Sequence, residues 1–171
     1  MARRPPPDRL RRARAADAAA LARLERRAFV GCYAAHRFSA AQFAAYLARP
    51  ATLAHVVEQS GRIVAYALGV QGGGSRARGA RLYSIAVAPT ARRRALGRRL
   101  LRAFLAAVRR RGCERASLEV AATNRAAIAL FTGHGFVPVR RLPAYYSATT
   151  AAIRMRRQLR AAGRRRAPRR R

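Results

Sequence analysis

Lysine is missing altogether from these 171 residues, and acids are scarce: 38 basic side chains, every one arginine, face six carboxylates, for a formal charge of +32. Asparagine occurs once, at Asn124. Abundant alanine and arginine without lysine suggest a GC-rich coding sequence, which explains the choice of cation but not the shortage of acids. A chain of this charge repels basic substrates such as polyamines and attracts polyanions, with a strong salt dependence. Cysteine appears twice, at Cys32 and Cys113, without metal-ligand spacing or the pattern of a disulfide framework, so both are expected as small buried fillers and no metal is expected. No apolar run approaches the length of a membrane span, and the opening MARRPPPDR lacks the apolar region of a secretory signal. The expectation is a cytoplasmic protein with no membrane partner.

What is present is enough chain for one domain with its own core, and its 51% apolar content is ordinary for a globular protein. Residues 1–9, with three successive prolines, read as a disordered lead-in, residues 10–158 as the folded domain, and residues 159–171 as a disordered Arg-rich tail. Ten of the 38 arginines lie in residues 1–9 and 160–171, which leaves 28 in the body with five of the six acids. The folded part is therefore strongly basic in its own right.

The most informative stretch runs from Arg81 to Gly112. Leu82 to Val87 is apolar and rich in β-branched and aromatic residues, as a buried strand is. Pro89 ends it, having no N–H to give a ladder. Leu96, Leu100, Phe104 and Val108 then recur every four residues, with Leu101 and Leu105 beside them, forming the apolar stripe of a helix of about four turns. Arg92, Arg93 and Arg94 stand where this helix is expected to begin. A strand that turns directly into a helix offers free backbone N–H groups at the helix's positive end, which suits a phosphate or pyrophosphate.

The rest of the chain supplies a frame for that unit. A first strand is expected over Leu10–Ala15, followed by Asp17 as N-cap of a helix over Ala18–Ala28 with Leu21, Leu24 and Ala28 on one face. Glu25 on this helix reads as a solvated charge among Arg23, Arg26 and Arg27, with a role in a substrate site as the alternative. Residues 29–38 form a loop, and Ser39 to Gln42 is a capping box opening a second helix that runs to about Arg49. Ala51–Glu58 and Arg62–Val70 make a hairpin through Ser60-Gly61, with His55 expected in the core. Gln71–Gly79 is a flexible loop whose glycine run lacks the context of a phosphate-binding loop. Arg115–Val120 is a strand, Asn124 caps a helix over Arg125–Thr132, and Gly133 and Gly135 close it. Phe136–Arg140 is a further strand, Leu142–Tyr146 a loop, and Ala151–Met155 a last strand.

Two motifs carry a resemblance to a known family. Val87-Ala88-Pro89 followed by Arg92-Arg93-Arg94-Ala95-Leu96-Gly97 resembles the acetyl-CoA signature of the GNAT superfamily of N-acetyltransferases, (Q/R)-x-x-G-x-(G/A). Leu118-Glu119-Val120, Asn124, Ala129-Leu130-Phe131, Gly135-Phe136 and Tyr145-Tyr146, in that order, resemble the ribosomal-protein-alanine N-acetyltransferase branch. The resemblance spans Leu10 to about Met155. It implies an α/β GNAT fold, a single central mixed and twisted sheet of six to seven strands flanked by about four helices. It also implies acetyl-CoA as co-substrate, with Arg92, Arg93, Arg94, Ala95, Leu96, Gly97 and Arg98 around its pyrophosphate and Asn124 as a further contact. Ile85, Ala86 and Val87 match the strand end whose backbone N–H groups serve as oxyanion donor. Glu119 matches the branch's general base, against which stands a structural ion pair with an arginine.

Two departures matter. Ala95 occupies the first glycine of the signature; its methyl is expected to crowd a phosphate, while fitting a first helical turn without strain. Phe131, placed in the cofactor site by the resemblance, stands where the family usually has a tyrosine that protonates the departing thiolate. A thiol with a pKa of roughly 8.5 is a fair leaving group unaided, but general-acid help is typically worth about 10²–10⁴-fold. A substitute donor or a slow enzyme follows, with Tyr145 and Tyr146 as candidate donors or, alternatively, as apolar cover for the groove. The expected activity is acetyl transfer to an amine, a protein or peptide N-terminus, by direct attack in a ternary complex. Alternatives are a small-amine acetyltransferase and a catalytically weak, basic protein of this fold associated non-specifically with ribosomes or RNA.

Overall fold

A computed structural model describes residues 8–72 and 79–159. Most of the lead-in and the tail, and the glycine run Gly72–Gly74 apart from Gly72, lie outside the described residues.

Seven strands form one sheet: β1 (Arg9–Arg12), β2 (Thr52–Gln59), β3 (Arg62–Gln71), β4 (Gly79–Val87), β5 (Arg115–Ala121), β6 (Val137–Ser147) and β7 (Thr150–Gln158), in the spatial order β1-β2-β3-β4-β5-β7-β6. Every neighbouring pair is antiparallel except β4 and β5, which are parallel. That follows from connectivity, because a parallel pair needs a crossover and α3 (Leu96–Arg110) supplies it. The other helices are α1 (Ala18–Ala28), α2 (Ala40–Leu47) and α4 (Arg125–Thr132). The mixed seven-stranded sheet with four helices matches the fold expected.

Two cores lie on the two faces of the sheet. The apolar stripe of α3 (Leu96, Leu100, Leu101, Phe104, Leu105, Val108) packs with Leu53, Val57, Leu82, Ala116, Leu118 and Met155. On the other face Leu21 and Leu24 of α1 and Phe43 of α2 bury against Ala54, Val56, Tyr66, Leu68 and Ala86. Gly69 permits the α3 contact: a Cβ there would lie 2.4 Å from the Phe104 ring. Local signals in the chain are realised. Ser39 Oγ accepts from Gln42 N–H at 3.2 Å while Gln42 Oε1 accepts from Ser39 N–H at 2.8 Å, the reciprocal bonds of a capping box. Ser60 and Gly61 both take positive φ, 48° and 74°, as a two-residue hairpin turn requires.

Several boundaries differ from expectation. β6 continues through Leu142-Pro143-Ala144-Tyr145-Tyr146, expected as a loop, because irregular pairing with β7 between Leu142 and Ser147 carries the strand onward. β1 stops at Arg12, and the following residues turn into a short 3-10 segment. Asp17 precedes α1 as expected, but its carboxylate accepts from Arg14 N–H at 2.7 Å and pairs with Arg11 instead of capping that helix. α3 begins at Leu96, not among the arginines. Cys113 is buried, whereas Cys32 is only half-buried. His55 is in the core as expected, with burial pushing its pKa down.

Candidate active site

β4 and β5 pair over three residues only, Gly79–Arg81 with Arg115–Ser117, although β4 runs on to Val87 and β5 to Ala121. Past that point the strands part, and a V-shaped gap opens in the middle of the sheet. At its end the chain leaves Val87, makes a 3-10 turn over Pro89–Ala91, and enters α3. The first-turn amides of a helix have no intrahelical partner, and here they belong to Leu96, Gly97 and Arg98. Leu96 itself is buried in the α3 core, so only its backbone faces this loop's function.

The approach to α3 is strained. Arg93 and Ala95 have φ of 62° and 56°, and Ala95 is the N-cap residue. The left-handed region costs a residue with a Cβ roughly 1–2 kcal/mol. Ala95 therefore does not enter a relaxed helical turn, contrary to expectation; the glycine of the signature is a backbone requirement. Arg92, Arg93 and Arg98 are exposed. Arg94 instead reaches Asp8, at 3.2 Å, and Arg99 donates to the Asp8 carbonyl at 2.9 Å.

A cavity of about 340 Å³ occupies the gap. β4 contributes Arg81 to Ile85 and β5 contributes Leu118, Glu119 and Val120. Asn124, Ala127 and Phe131 approach from the α4 side; Tyr145 and Tyr146 come from β6, and Glu25, Tyr33, His36 and Tyr46 from α1, α2 and the segment between them. An aromatic chain closes this wall: the Tyr33 and Tyr146 rings meet at 4.8 Å, and His36 stacks on Tyr145 at 6.0 Å.

Glu119 projects into this cavity with its side chain 6% exposed. Arg81 holds one oxygen at 2.6 Å and Arg154 the other at 2.7 Å. Each carboxylate oxygen has two acceptor directions, and each guanidinium contact uses one. Tyr145 Oη accepts from Arg81 at 3.2 Å, while Tyr146 Oη donates to the Glu119 carbonyl at 3.2 Å. Burial pushes the Tyr146 phenol well above its ordinary range.

Glu25 is the larger surprise. It is 2% exposed, not solvated among the neighbouring arginines. Its carboxylate accepts from Phe38 N–H at 3.2 Å, from Ser84 Oγ at 3.3 Å and from the Tyr66 hydroxyl. These donors are neutral, so desolvation prevails, and the carboxyl is pushed up to about 7.

Asn124 caps α4 through Oδ1, which accepts from Ala127 N–H at 3.1 Å, and its Nδ2 donates to Tyr33 Oη at 3.0 Å. Ala121 N–H also donates to Tyr33 Oη, at 3.3 Å. With two donors pointed at its oxygen, the Tyr33 hydroxyl directs its own proton elsewhere. Burial raises its pKa and keeps that proton in place. Phe131 is buried against Phe136 at the cavity's inner end.

The model of the acetyltransferase (GNAT) family matches residues 18–136. The chain belongs to the GNAT acetyltransferase family. Among solved structures it is similar to the ribosomal-protein-S18-alanine N-acetyltransferase from Escherichia coli, at 28% identity over 94% of this chain and 99% of that one, with a TM-score of 0.80. Ard1 from Thermoplasma volcanium shares the fold at 24% identity over 89% and 97% of the two chains, with a TM-score of 0.77. So does the PaiA N-acetyltransferase from Thermoplasma acidophilum, in complex with coenzyme A, at 13% identity over 90% and 100%, with a TM-score of 0.73. No curated protein matches.

As a GNAT acetyltransferase the chain uses acetyl-CoA, and its residues fit that molecule. The gap between β4 and β5 admits an extended arm, and the α3 amides and exposed Arg92, Arg93 and Arg98 suit a diphosphate. Ile85 lines the cavity, Ala86 packs toward α1 and α2, and Val87 turns toward α3. Glu119, Asn124, Phe131, Tyr145 and Tyr146 converge on one cavity, while Arg94 pairs with Asp8. For Glu25 a substrate site was only the alternative reading, and Tyr33, Arg81 and Arg154 were not singled out as site residues by the sequence. Tyr33 lies in the 29–38 loop, which the family resemblance makes part of the acceptor-groove wall; for Arg154 the sequence holds no local signal. Among the described residues no cluster of side chains could hold a metal ion, and no helix is long and apolar enough to cross a membrane.

Proposed function

We propose that this GNAT protein acetylates the N-terminal amine of a peptide or protein by direct attack within a ternary complex. One observation carries the reading: a single cavity is lined both by the β4 and β5 residues that flank the gap and by the aromatic wall of Tyr33, His36, Tyr145 and Tyr146, so a thioester in the gap and a peptide amine at that wall would meet beside Glu119. Acetyl-CoA supplies an acetyl group activated as a thioester; the amine nitrogen bonds to the acetyl carbon, the carbon–sulfur bond breaks, and the sulfur leaves as thiolate.

The chain's own groups handle the protons. Glu119 accepts the proton that the attacking amine sheds, through the acceptor directions left by Arg81 and Arg154. Those guanidiniums also fix its orientation. Of Ile85, Ala86 and Val87, Ala86 turns its N–H to β3 as Ala88 does, and the alternate N–H groups of Ile85 and Val87 face the gap and donate to the carbonyl oxygen as it gains charge. Phe131 has no proton for the sulfur. Tyr33 supplies it, because its hydroxyl already accepts two bonds and keeps its own proton. Tyr146 spends its proton on the Glu119 carbonyl, and Tyr145, which accepts from Arg81, stacks its ring on His36, which suits both to shaping the acceptor wall.

The similarity to an alanine N-acetyltransferase of 28% identity supports a peptide acceptor. The test is direct: the full chain, acetyl-CoA and peptides beginning with alanine, alongside small amines, read by thiol release and by mass of the product. Acetylated peptide amino termini are expected. Acetylation of small amines alone would replace this reading with that of a small-molecule enzyme.

A second reading draws on a different place. A groove of about 770 Å³ between α3, α4 and β7 is lined by Arg98, Arg102, Arg109 and Arg157, and burial beside Arg109 lowers the Arg157 pKa. Crowded cations without a lining acid suit a nucleic-acid backbone. Salt-sensitive RNA binding without acetyl transfer would support a basic binding protein of this fold.

A further inference from the structure

The sheet register gathers arginines beside the active-site carboxylate. On β5, Arg115, Ser117 and Glu119 share one face, because side chains alternate along a strand. Ser117 sits between Arg81 on β4 and Arg156 on β7, and Glu119 lies opposite Arg154. Arg115 lies opposite Gly79, where even a Cβ would come within 3.1 Å of the arginine's Cγ. The intervening residues Ala116, Leu118 and Val120 turn to the α3 core. The arginine face therefore lies on the other side of the sheet from α3.

These side chains line a trough of about 420 Å³ that shares Arg81, Tyr83 and Glu119 with the catalytic cavity. The two spaces adjoin at these three residues. Four guanidiniums line the trough, and among its described lining residues Glu119 is the one carboxylate, with both oxygens already engaged by Arg81 and Arg154. Arg81 Nε is buried with no hydrogen-bond partner. Arg115 and Arg156 are exposed and Arg81 and Arg154 partly so, so an anion from outside can reach this cluster of like charge and is attracted by it.

We propose that this trough is the subsite for the acceptor residues that follow the reacting amine, and that it selects carboxylates there: the acceptor is a chain whose N-terminus is rich in aspartate and glutamate. The inference rests on the peptide-acceptor reading above. An extended peptide advances roughly 3.3 Å per residue, so with its amine at Glu119 the next four or so residues run along β5 towards Arg115. Arg81 and Arg154 receive the first carboxylates, and Arg156 and Arg115 those beyond. A basic N-terminus meets four like charges in the same place.

The experiment measures kcat/KM with the full chain for three sets of peptides beginning with alanine, carrying acidic, neutral or basic residues at positions two to five. Acidic peptides are expected to exceed neutral ones roughly tenfold or more, with the advantage shrinking as salt rises, and basic peptides to be the poorest. The double variant R115E/R156E, checked for folding by circular dichroism, is expected to bring the acidic-to-neutral ratio down to one or below. The salt dependence of the unaltered protein tests the same point without any substitution. Equal rates for the three sets, or a preference for basic peptides, would overturn the subsite while leaving peptide acetylation standing. Absence of acetylation on every peptide would remove the peptide-acceptor reading and the subsite with it.

Discussion

Glu25 offers the sharpest test of the structure, through stability instead of turnover. Its carboxyl is pushed from 4.5 up to about 7 by burial, against the opposing help of Phe38 N–H, Ser84 and the charge of Arg37. Each tenfold change in proton affinity is worth roughly 1.4 kcal/mol, so the difference amounts to about 3 kcal/mol. Between 4.5 and about 7 the folded chain holds a proton at Glu25 that the unfolded chain has released. Stability from this group is therefore complete below 4.5 and lost as the pH rises through 7. Glu25→Gln removes the titration but keeps an oxygen for Phe38 and a side chain of the same size, and the hydroxyls of Tyr66 and Ser84 can turn to accept from the new amide. Urea midpoints of both proteins from pH 4.5 to 8.5 would measure the difference. Asp17, Glu58 and His55 also titrate between folded and unfolded states, but they are common to both chains and cancel. The variant is expected to gain on the unaltered protein by about 2–3 kcal/mol across the range. A difference that stays flat with pH would show that Glu25 ionises without penalty, and the burial argument would fail.

The remaining predictions concern the reaction and its cofactor loop. Glu119→Gln should lower kcat near neutral pH by about 10²-fold or more, with little change in acetyl-CoA affinity by calorimetry; an unaltered kcat would dismiss Glu119 as proton acceptor. Tyr33→Phe should lower kcat by about tenfold or more and flatten the alkaline limb of its pH profile, whereas Tyr145→Phe should act mainly on the acceptor's KM. Ala95→Gly should raise stability by roughly 1 kcal/mol and tighten acetyl-CoA binding, read by urea melts and calorimetry; a loss of stability would mean that Ala95 is not held at positive φ in solution.

The features legible in the chain are those written within a few residues of one another. The Ser39–Gln42 box, the Ser60-Gly61 turn, the Asn124 cap and the four-residue spacing of Leu96, Leu100, Phe104 and Val108 each act over one turn, and each is realised. The convergence of Glu119, Asn124, Phe131, Tyr145 and Tyr146 followed from motif order. What was hidden depends on distant partners. Glu25 looks solvated among arginines until Tyr66 and Ser84, 41 and 59 residues later, close over it. Arg154 is one of many arginines until the β5–β7 register sets it opposite Glu119. The loop expected at Tyr145-Tyr146 became strand because β7 lay alongside, a tertiary effect that overrides turn-forming residues. The strain at Ala95 is local, yet the residue name does not reveal it, since only backbone angles distinguish a relaxed alanine from a forced one.

The three-residue junction between β4 and β5 makes a mechanical seam. Four strands lie on one side and three on the other, stitched by so little ladder that the sheet should part there first under denaturant or load. A molecule that bridges both lips would act as a rivet. Mass action sets the gain at about 2.7 kcal/mol when donor is present at a hundred times its dissociation constant, and hydrogen exchange should reveal where it is felt, slowing along Leu82–Val87 and Leu118–Ala121 while the β2–β3 hairpin stays unchanged.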